Sequence, residues 1–465
     1  MAQKTIIINF YTKHKKNIIK LSLIMFNLIC LIIFCNVILT YTYNPIWNFF
    51  GDPTDYLIQS KMSLWSSDFY MPTVDMGLSP RPFTVPLFYK MVNSDPLSIV
   101  WMQKIAHCIA SFALITSLLL IIKNKIVSFL TIPLLYYFFT WWPIVGFTEN
   151  LLSESLSMSF LFIWISATIL CIHYKNSFAF IYLCIITVLF SFTRDTWPYI
   201  ILLAGFLLAV YFYKKDKKLK KYFVIFCFLN TGLFLFQSYT SRVGERYKIP
   251  IYNVLATRIS KKPEYLNWFS EKGMPLTDSL SSNFKNIDLT KNEDIIKVYN
   301  SYLKPTYKPL HHWIVEYGKN TYMLFMLTHP SYFFLSDESD FQKERIFTII
   351  DKGYIVKSEE PFLYDNATRD VFSIGWVLIL IVSLMLLTIK IKGNTYYYLL
   401  PLFLGILFLV NVYLSYNADT LEVERHLFIT EIMIQFIFYI TLIFLVDILT
   451  LKLTEIIANK KNDFK

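Results

Sequence analysis

Asp52, Asp55, Glu149, Glu154, Asp195, Glu422 and Glu424 fall at the edges of apolar stretches, and Arg81, Arg194 and Arg425 fall beside them. Carboxylates so placed can act as general bases or hold a divalent cation. A guanidinium presents a planar fork of donors matched to phosphate oxygens. A chain that only spans a membrane has no need to gather both kinds of group at one interface. An enzyme with its active site at that interface does.

The first group opens as Gly51-Asp52-Pro53-Thr54-Asp55-Tyr56, and its continuation Ser79-Pro80-Arg81-Pro82-Phe83-Thr84-Val85-Pro86 brings Arg81. Asp52 and Asp55 are a candidate base or cation pair, although Asp-Pro and Thr-Asp are also ordinary turn chemistry. The second group, Glu149-Asn150-Leu151-Leu152-Ser153-Glu154, leads into an apolar run. A helix dipole favours carboxylates there, but a charge sunk as deep as Glu154 wants a partner and is a functional candidate. Thr193-Arg194-Asp195-Thr196 reads equally as a local salt bridge or a phosphate ligand. Asp419-Thr420-Leu421-Glu422-Val423-Glu424-Arg425-His426 is dense in charge, with Arg425 the anion ligand of choice and His426 able to titrate near neutral pH. His329 stands in a separate Thr328-His329-Pro330-Ser331-Tyr332 segment, and Lys104 and His107 lie at the start of another apolar run, where a lysine can snorkel. His311-His312 lacks a third ligand at useful spacing, so zinc is not expected. The six cysteines all lie in apolar stretches and read as packing residues.

These residues must be positioned by membrane helices. The chain is 55% hydrophobic and only 17% charged, more apolar surface than a soluble domain can hide. Apolar windows near 18–41, 98–122, 126–144, 152–173, 177–193, 197–213, 222–238, 372–390, 395–415 and 427–450 predict an all-α polytopic membrane protein of about ten spans. The first window is too long for a signal-peptide core and reads as a retained span. Lysine sits in the N-terminus, in the links at 123–125, 173–175, 214–221 and 390–392, and in the tail, which places both termini in the cytoplasm. The net charge of +11 is this bias, so nucleic acid is not an expected partner. Residues 1–238 form an N-terminal module of seven spans and 372–465 a C-terminal module of three. Two large extracytoplasmic loops, 42–97 and 239–371, carry short interfacial helices, one of them over 312–327. All the carboxylates and guanidiniums named above then face outside a bacterial plasma membrane.

With those residues in place, the chain resembles the C-type glycosyltransferases, multispan enzymes that use polyprenyl-phosphate-linked sugars. Gly51-Asp52 to Tyr56-Leu57 resembles that family's first-loop acidic motif, and Arg81 to Leu87 its Arg-x-Pro segment, with Val85 where an aromatic is usual. Thr148-Glu149 with Ser153-Glu154-Ser155-Leu156, Arg194 at the opening of the sixth span, His329 to Tyr332, and Glu424-Arg425-His426 are similar in order and side. The resemblance implies inverting transfer to an extracytoplasmic glycan. Asp52 would be the reaction-centre carboxylate, with Asp55 and Glu154 as alternatives. Arg194, Arg425 and Arg81 would hold the donor phosphate, and Glu149, Asp195, Glu424, His426, His329 and Tyr56 would contact substrate. Some members use a divalent cation such as Mg or Mn, which Asp52 and Asp55 permit but do not demand.

Two other readings share these features. A polysaccharide polymerase would join polyprenyl-diphosphate-linked repeat units. A lipid-linked sugar flippase would place its binding residues near the bilayer midplane, in related halves; here the charges crowd one interface and no pair of halves is visible.

Overall fold

The computed structural model describes residues 2–41, 52–72, 81–260, 262–275, 308–329, 374–389, 396–418 and 423–463, and among them there is no strand. Helix α1 covers Ala2–Thr40. A short-helix group follows, α2 (Asp52–Lys61), α3 (Ser67–Tyr70) and α4 (Thr84–Met91). Then come α5 (Pro96–Ile121), α6 (Lys125–Phe139), α7 (Trp142–Phe147), α8 (Ser153–Tyr174), α9 (Ser177–Ser191), α10 (Trp197–Phe212) and α11 (Lys217–Val243). Among the described residues, six segments are long and apolar enough to cross a membrane: Asn17–Thr40, Pro96–Ile121, Ser153–Tyr174, Lys217–Val243, Tyr397–Ser415 and Phe428–Ile457.

The remaining apolar windows are also helices, but shorter: Lys125–Phe139, Ser177–Ser191, Trp197–Phe212 and Leu378–Thr388. With 16 residues, α10 rises about 24 Å, less than the ~30 Å hydrocarbon core. The window at 126–144 departs most from expectation. α6 ends at Phe139, Trp141 leaves helical geometry (ψ 126°), and Pro143 stands in the first turn of α7. Proline fits a first turn but breaks a helix interior, so the apolar run continues while the helix does not.

Three of the lysine-bearing links are closed by local caps. Asn124, Asn176 and Asp216 accept from the first-turn amides of α6, α9 and α11, and Lys175 ends α8 in the left-handed region (φ 51°). α8 is the centre of the bundle, with 83% of its most apolar window buried against 22% for α1. It packs along α5 and α9, while α10 pairs with α11. Small residues on α8 allow the close approach; Ser166 donates to the Ala113 carbonyl of α5 at 2.9 Å.

A second apolar core lies after α11. α12 (Lys248–Val254) continues through a π-helical turn (Leu255–Ile259) and is followed by α13 (Pro263–Glu271). α14 (Lys308–Trp313), a second π-helical turn (Ile314–Gly318) and α15 (Lys319–Thr328) complete it. The apolar face expected over 312–327 exists, and it packs into this core through Trp313, Ile314, Tyr322 and Phe325. The last group is α16 (Ile374–Ile389), a 3-10 turn (Tyr396–Leu399), α17 (Leu400–Ala418) and α18 (Val423–Asp463). Tyr322 donates to the Asn417 carbonyl at 2.6 Å and Tyr413 to the Met326 carbonyl at 3.1 Å, docking the second core on α17.

At the lysine-bearing end, the fully buried Asp447 of α18 accepts from the Lys123 and Asn124 amides (3.0 and 2.7 Å) and from the Tyr398 hydroxyl (2.9 Å). One carboxylate thereby ties the α5–α6 turn and the start of α17 to the last helix. Asp447→Ala strips two backbone amides of their acceptor, a loss of about 1–3 kcal/mol each. It should lower the melting midpoint in detergent well below that of wild type, and Tyr398→Phe should lower it less. Equal midpoints for Asp447→Ala and wild type would mean that other contacts hold the turn.

Candidate functional site

Asp52 and Asp55 lie three residues apart in the first turn of α2 and so share a helix face. Arg81 faces both: its Nη2 pairs with Asp52 and lies 3.5 Å from Asp55 Oδ2. Gln59, further along α2, fixes where Arg81 sits. Its side chain donates to the Arg81 carbonyl (2.9 Å) and accepts from the Arg81 amide (3.3 Å), and it also donates to the Phe69 carbonyl at 2.9 Å. The Arg81 guanidinium stands 5.6 Å from the centre of the Tyr56 ring. Burial pushes the Tyr56 phenol up to about 12, against an opposing pull from Arg81. Tyr56 is therefore protonated at neutral pH and acts as a donor, not a base.

The next segment is joined to this one through the backbone. The Thr84 amide donates to the Phe192 carbonyl at 3.1 Å, and Phe83 stacks on Phe192 at 4.7 Å. That fixes the α9–α10 turn, which carries Arg194, beside the segment that carries Arg81. Arg194 Nη2 lies 3.7 Å from Glu154 Oε1, and the Glu154 side chain is only 1% exposed. Ser153 donates to Glu154 Oε2 at 3.3 Å and is hydrogen-bonded to the Tyr56 hydroxyl, so Tyr56, Ser153 and Glu154 form a polar chain. Asp52, Asp55, Tyr56, Arg81, Glu154 and Arg194 thus converge at one end of the bundle from four separate stretches of sequence.

Glu149, Asp195 and His329 have their partners outside this cluster. Glu149 turns into the bundle and pairs with Lys104 at 2.7 Å, both side chains 4% exposed. Lys104 does not snorkel; it also donates to the Tyr41 carbonyl. A carboxylate and an ammonium that deep neutralise one another, which the reading of Lys104 as an interfacial lysine did not include. Gln103 holds the Glu149 turn from α5, donating to the Thr148 and Asn150 carbonyls at 3.0 and 2.9 Å. Asp195 pairs with Arg246 at 3.1 Å and accepts from the Gln237 amide. His329 packs in the second core, 4.6 Å from the Phe325 ring and 5.4 Å from Trp268, not beside Asp52. Glu424, Arg425 and His426 lie on the first turn of α18. Glu422 and the segment Pro330 to Tyr332 fall outside the described residues.

For a divalent cation, Asp52 and Asp55 gain no third His, Cys, Asp or Glu ligand among the described residues. The Arg81 guanidinium occupies the face they share. No cation is assigned to the pair. Sequence reasoning missed Gln59, Gln103, Gln237 and Arg246; for the three glutamines, a polar amide in a largely apolar stretch was the available signal. Compared with known proteins, the chain matches no family model and no curated protein.

The buried Lys104–Glu149 pair has a measurable signature. Removing either partner leaves an uncompensated charge at about 3–5 kcal/mol. Lys104→Met and Glu149→Gln should each lower thermal stability in detergent, and Lys104→Met with Glu149→Leu should recover most of the loss. Additive losses in the double variant would show that the two are not coupled.

Proposed function

We propose that the protein is a multispan membrane glycosyltransferase that moves a sugar from a polyprenyl-phosphate donor to a glycan acceptor at the outer face of a bacterial plasma membrane. In this reading all ten apolar helices cross, the four short ones with local thinning or with help from their linking turns. Lys123, Lys125, Lys175 and the 214–221 lysines mark the cytoplasmic side, where both termini lie. The observation that carries the reading is the convergence of Asp52, Asp55, Arg81, Glu154 and Arg194 at the opposite end.

The chemistry follows from those residues. A carboxylate takes the proton of the acceptor hydroxyl as its oxygen attacks the anomeric carbon. The bond from that carbon to the phosphate oxygen breaks, and the lipid phosphate leaves with the electron pair. The configuration inverts. Asp52 is the better base on access, its side chain being 18% exposed against 1% for Glu154. Asp55 shares its face. Glu154 and Arg194 position the Tyr56–Ser153 chain, and the guanidiniums offset charge as it develops on the leaving phosphate.

Purified protein in detergent, supplied with polyprenyl-phosphate hexoses and pentoses and an oligosaccharide acceptor, should release the lipid phosphate and extend the acceptor. Asp52→Asn should slow transfer by about 100-fold or more, with a melting midpoint lowered only slightly because Asp55 still faces Arg81. Turnover only with diphosphate-linked repeat units would replace this reading with a polymerase. Lipid scrambling without turnover of any donor would replace it with a transporter.

A further inference from the structure

We propose that Cys35 and Cys108 are a modification site, a thiol pair that a lipid-soluble quinone oxidises to a disulfide, stapling α1 to α5. The proposal does not depend on the glycosyltransferase reading. It needs only that α1 and α5 lie in a membrane, and both carry segments long and apolar enough to cross one.

The pair follows from the register of the two helices. Asn27 of α1 donates to Thr116 Oγ1 of α5 at 3.2 Å. The Cys35 and Cys108 thiols share a hydrogen bond. Cys35 stands eight residues after Asn27, and Cys108 stands eight residues before Thr116. Eight residues are roughly two helical turns, so both contacts use the same face of each helix and the helices run antiparallel. Just past α1, the Tyr41 carbonyl accepts from Lys104, which lies one turn before Cys108. The row Asn27, Cys35, Tyr41 thus meets the row Thr116, Cys108, Lys104. Phe34 and His107, each the preceding neighbour of one thiol, have ring centres 5.8 Å apart. Contacts on both sides of the thiols therefore hold them opposite one another. From hydrogen-bonding distance, an S–S bond of about 2.05 Å needs only a rotation of the side chains and a small approach of the backbones.

The surroundings select the oxidant. Of the six long apolar segments among the described residues, the one in α1 is the least buried, at 22%. Cys35 is half-buried, and its neighbours Ile32, Ile33 and Val37 are exposed. Cys108 is only 6% exposed. An oxidant dissolved among lipid tails reaches Cys35 first, and Cys108 behind it closes the bond. Cys35 lies five residues before the end of α1 at Thr40, about 8 Å along the axis, within reach of a quinone ring near the membrane boundary. In the reaction two S–H bonds break and one S–S bond forms. Two electrons and two protons pass to the quinone, which becomes a quinol.

The bond would hold a helix that packing holds weakly. Apolar contact does not favour a neighbouring helix over lipid. The polar attachments of α1 to its neighbours are those of Asn27, which also accepts from the Tyr136 hydroxyl at 3.1 Å, and of the Tyr41 carbonyl. A staple between these two points fixes the end of α1 against the Lys104–Glu149 pair.

The test uses the intact, fully reduced protein in lipid nanodiscs, treated with decylubiquinone or with oxidised glutathione. The samples are then denatured, alkylated, digested and read by mass spectrometry. Decylubiquinone should join the Cys35 and Cys108 peptides with loss of the two thiol hydrogens, and dithiothreitol should separate them. Oxidised glutathione at the same concentration should leave both thiols free for alkylation. The wild-type melting midpoint should rise on quinone treatment, and the midpoints of Cys35→Ser and Cys108→Ser should not move. Recovery of both thiols fully alkylated after quinone treatment would overturn the site, as would a disulfide from Cys35 to any other cysteine. Equal oxidation by glutathione would overturn the route through lipid. A joined pair with an unchanged midpoint would overturn its role as a staple.

Discussion

Charge withdrawn from water must meet opposite charge or a set of hydrogen-bond donors, and that condition decides how the helix ends of this protein close. Transfer of an ion into a low-dielectric interior costs several kcal/mol even after relaxation. Glu154, Lys104 and Glu149 are 1%, 4% and 4% exposed on their side chains, and each has a partner from a distant segment. Apolar packing among membrane helices has no comparable selectivity, since lipid tails are as apolar as leucine. The ion pairs supply the register. Arg194 holds the α9–α10 turn to the start of α8, and Arg81 holds its own segment to the start of α2.

Neutral groups then fix the geometry more finely than charge can. Gln59 grips both backbone polar groups of Arg81. Gln103 grips the turn that carries Glu149 and accepts from Tyr89 at 3.5 Å. Tyr89 in turn meets Tyr56 edge-on at 6.1 Å. The structural Lys104–Glu149 pair is thereby continuous with the Tyr56–Ser153–Glu154 chain. Each hydrogen bond contributes only about 1 kcal/mol net, but each has a narrow angular range.

The helical elements were legible because most of their apolar runs are unbroken, and the charged residues stood out because charge is scarce at 17%. What failed to show had a physical cause in each case. Pro143 splits an apolar run without changing its hydropathy. The burial of Lys104 depends on Glu149, 45 positions on, and Asp447 caps a turn more than 300 positions before it. Arg246 is placed by a left-handed Glu245, a conformation that a glutamate does not advertise. His329 was grouped with the charged residues by its motif, yet its ring joins Phe325 and Trp268 in an aromatic core. Pairings across the fold, and conformations against type, carry no local signature.

Arg194 and Asp195 bear on the choice between catalysis and transport. Adjacent in sequence, they carry opposite charges to different partners, Glu154 on one side and Arg246 on the other. The turn that bears them is bonded through Phe192 to the α4 segment. To move it, three separate attachments must break together. A transporter needs a site that exchanges between two arrangements, usually at broken helices near the midplane. A transferase needs charges that are already in place when the phosphate leaves, because dipoles that do not reorganise stabilise a developing charge most. A turn held from three sides at the end of a bundle suits the second requirement and resists the first.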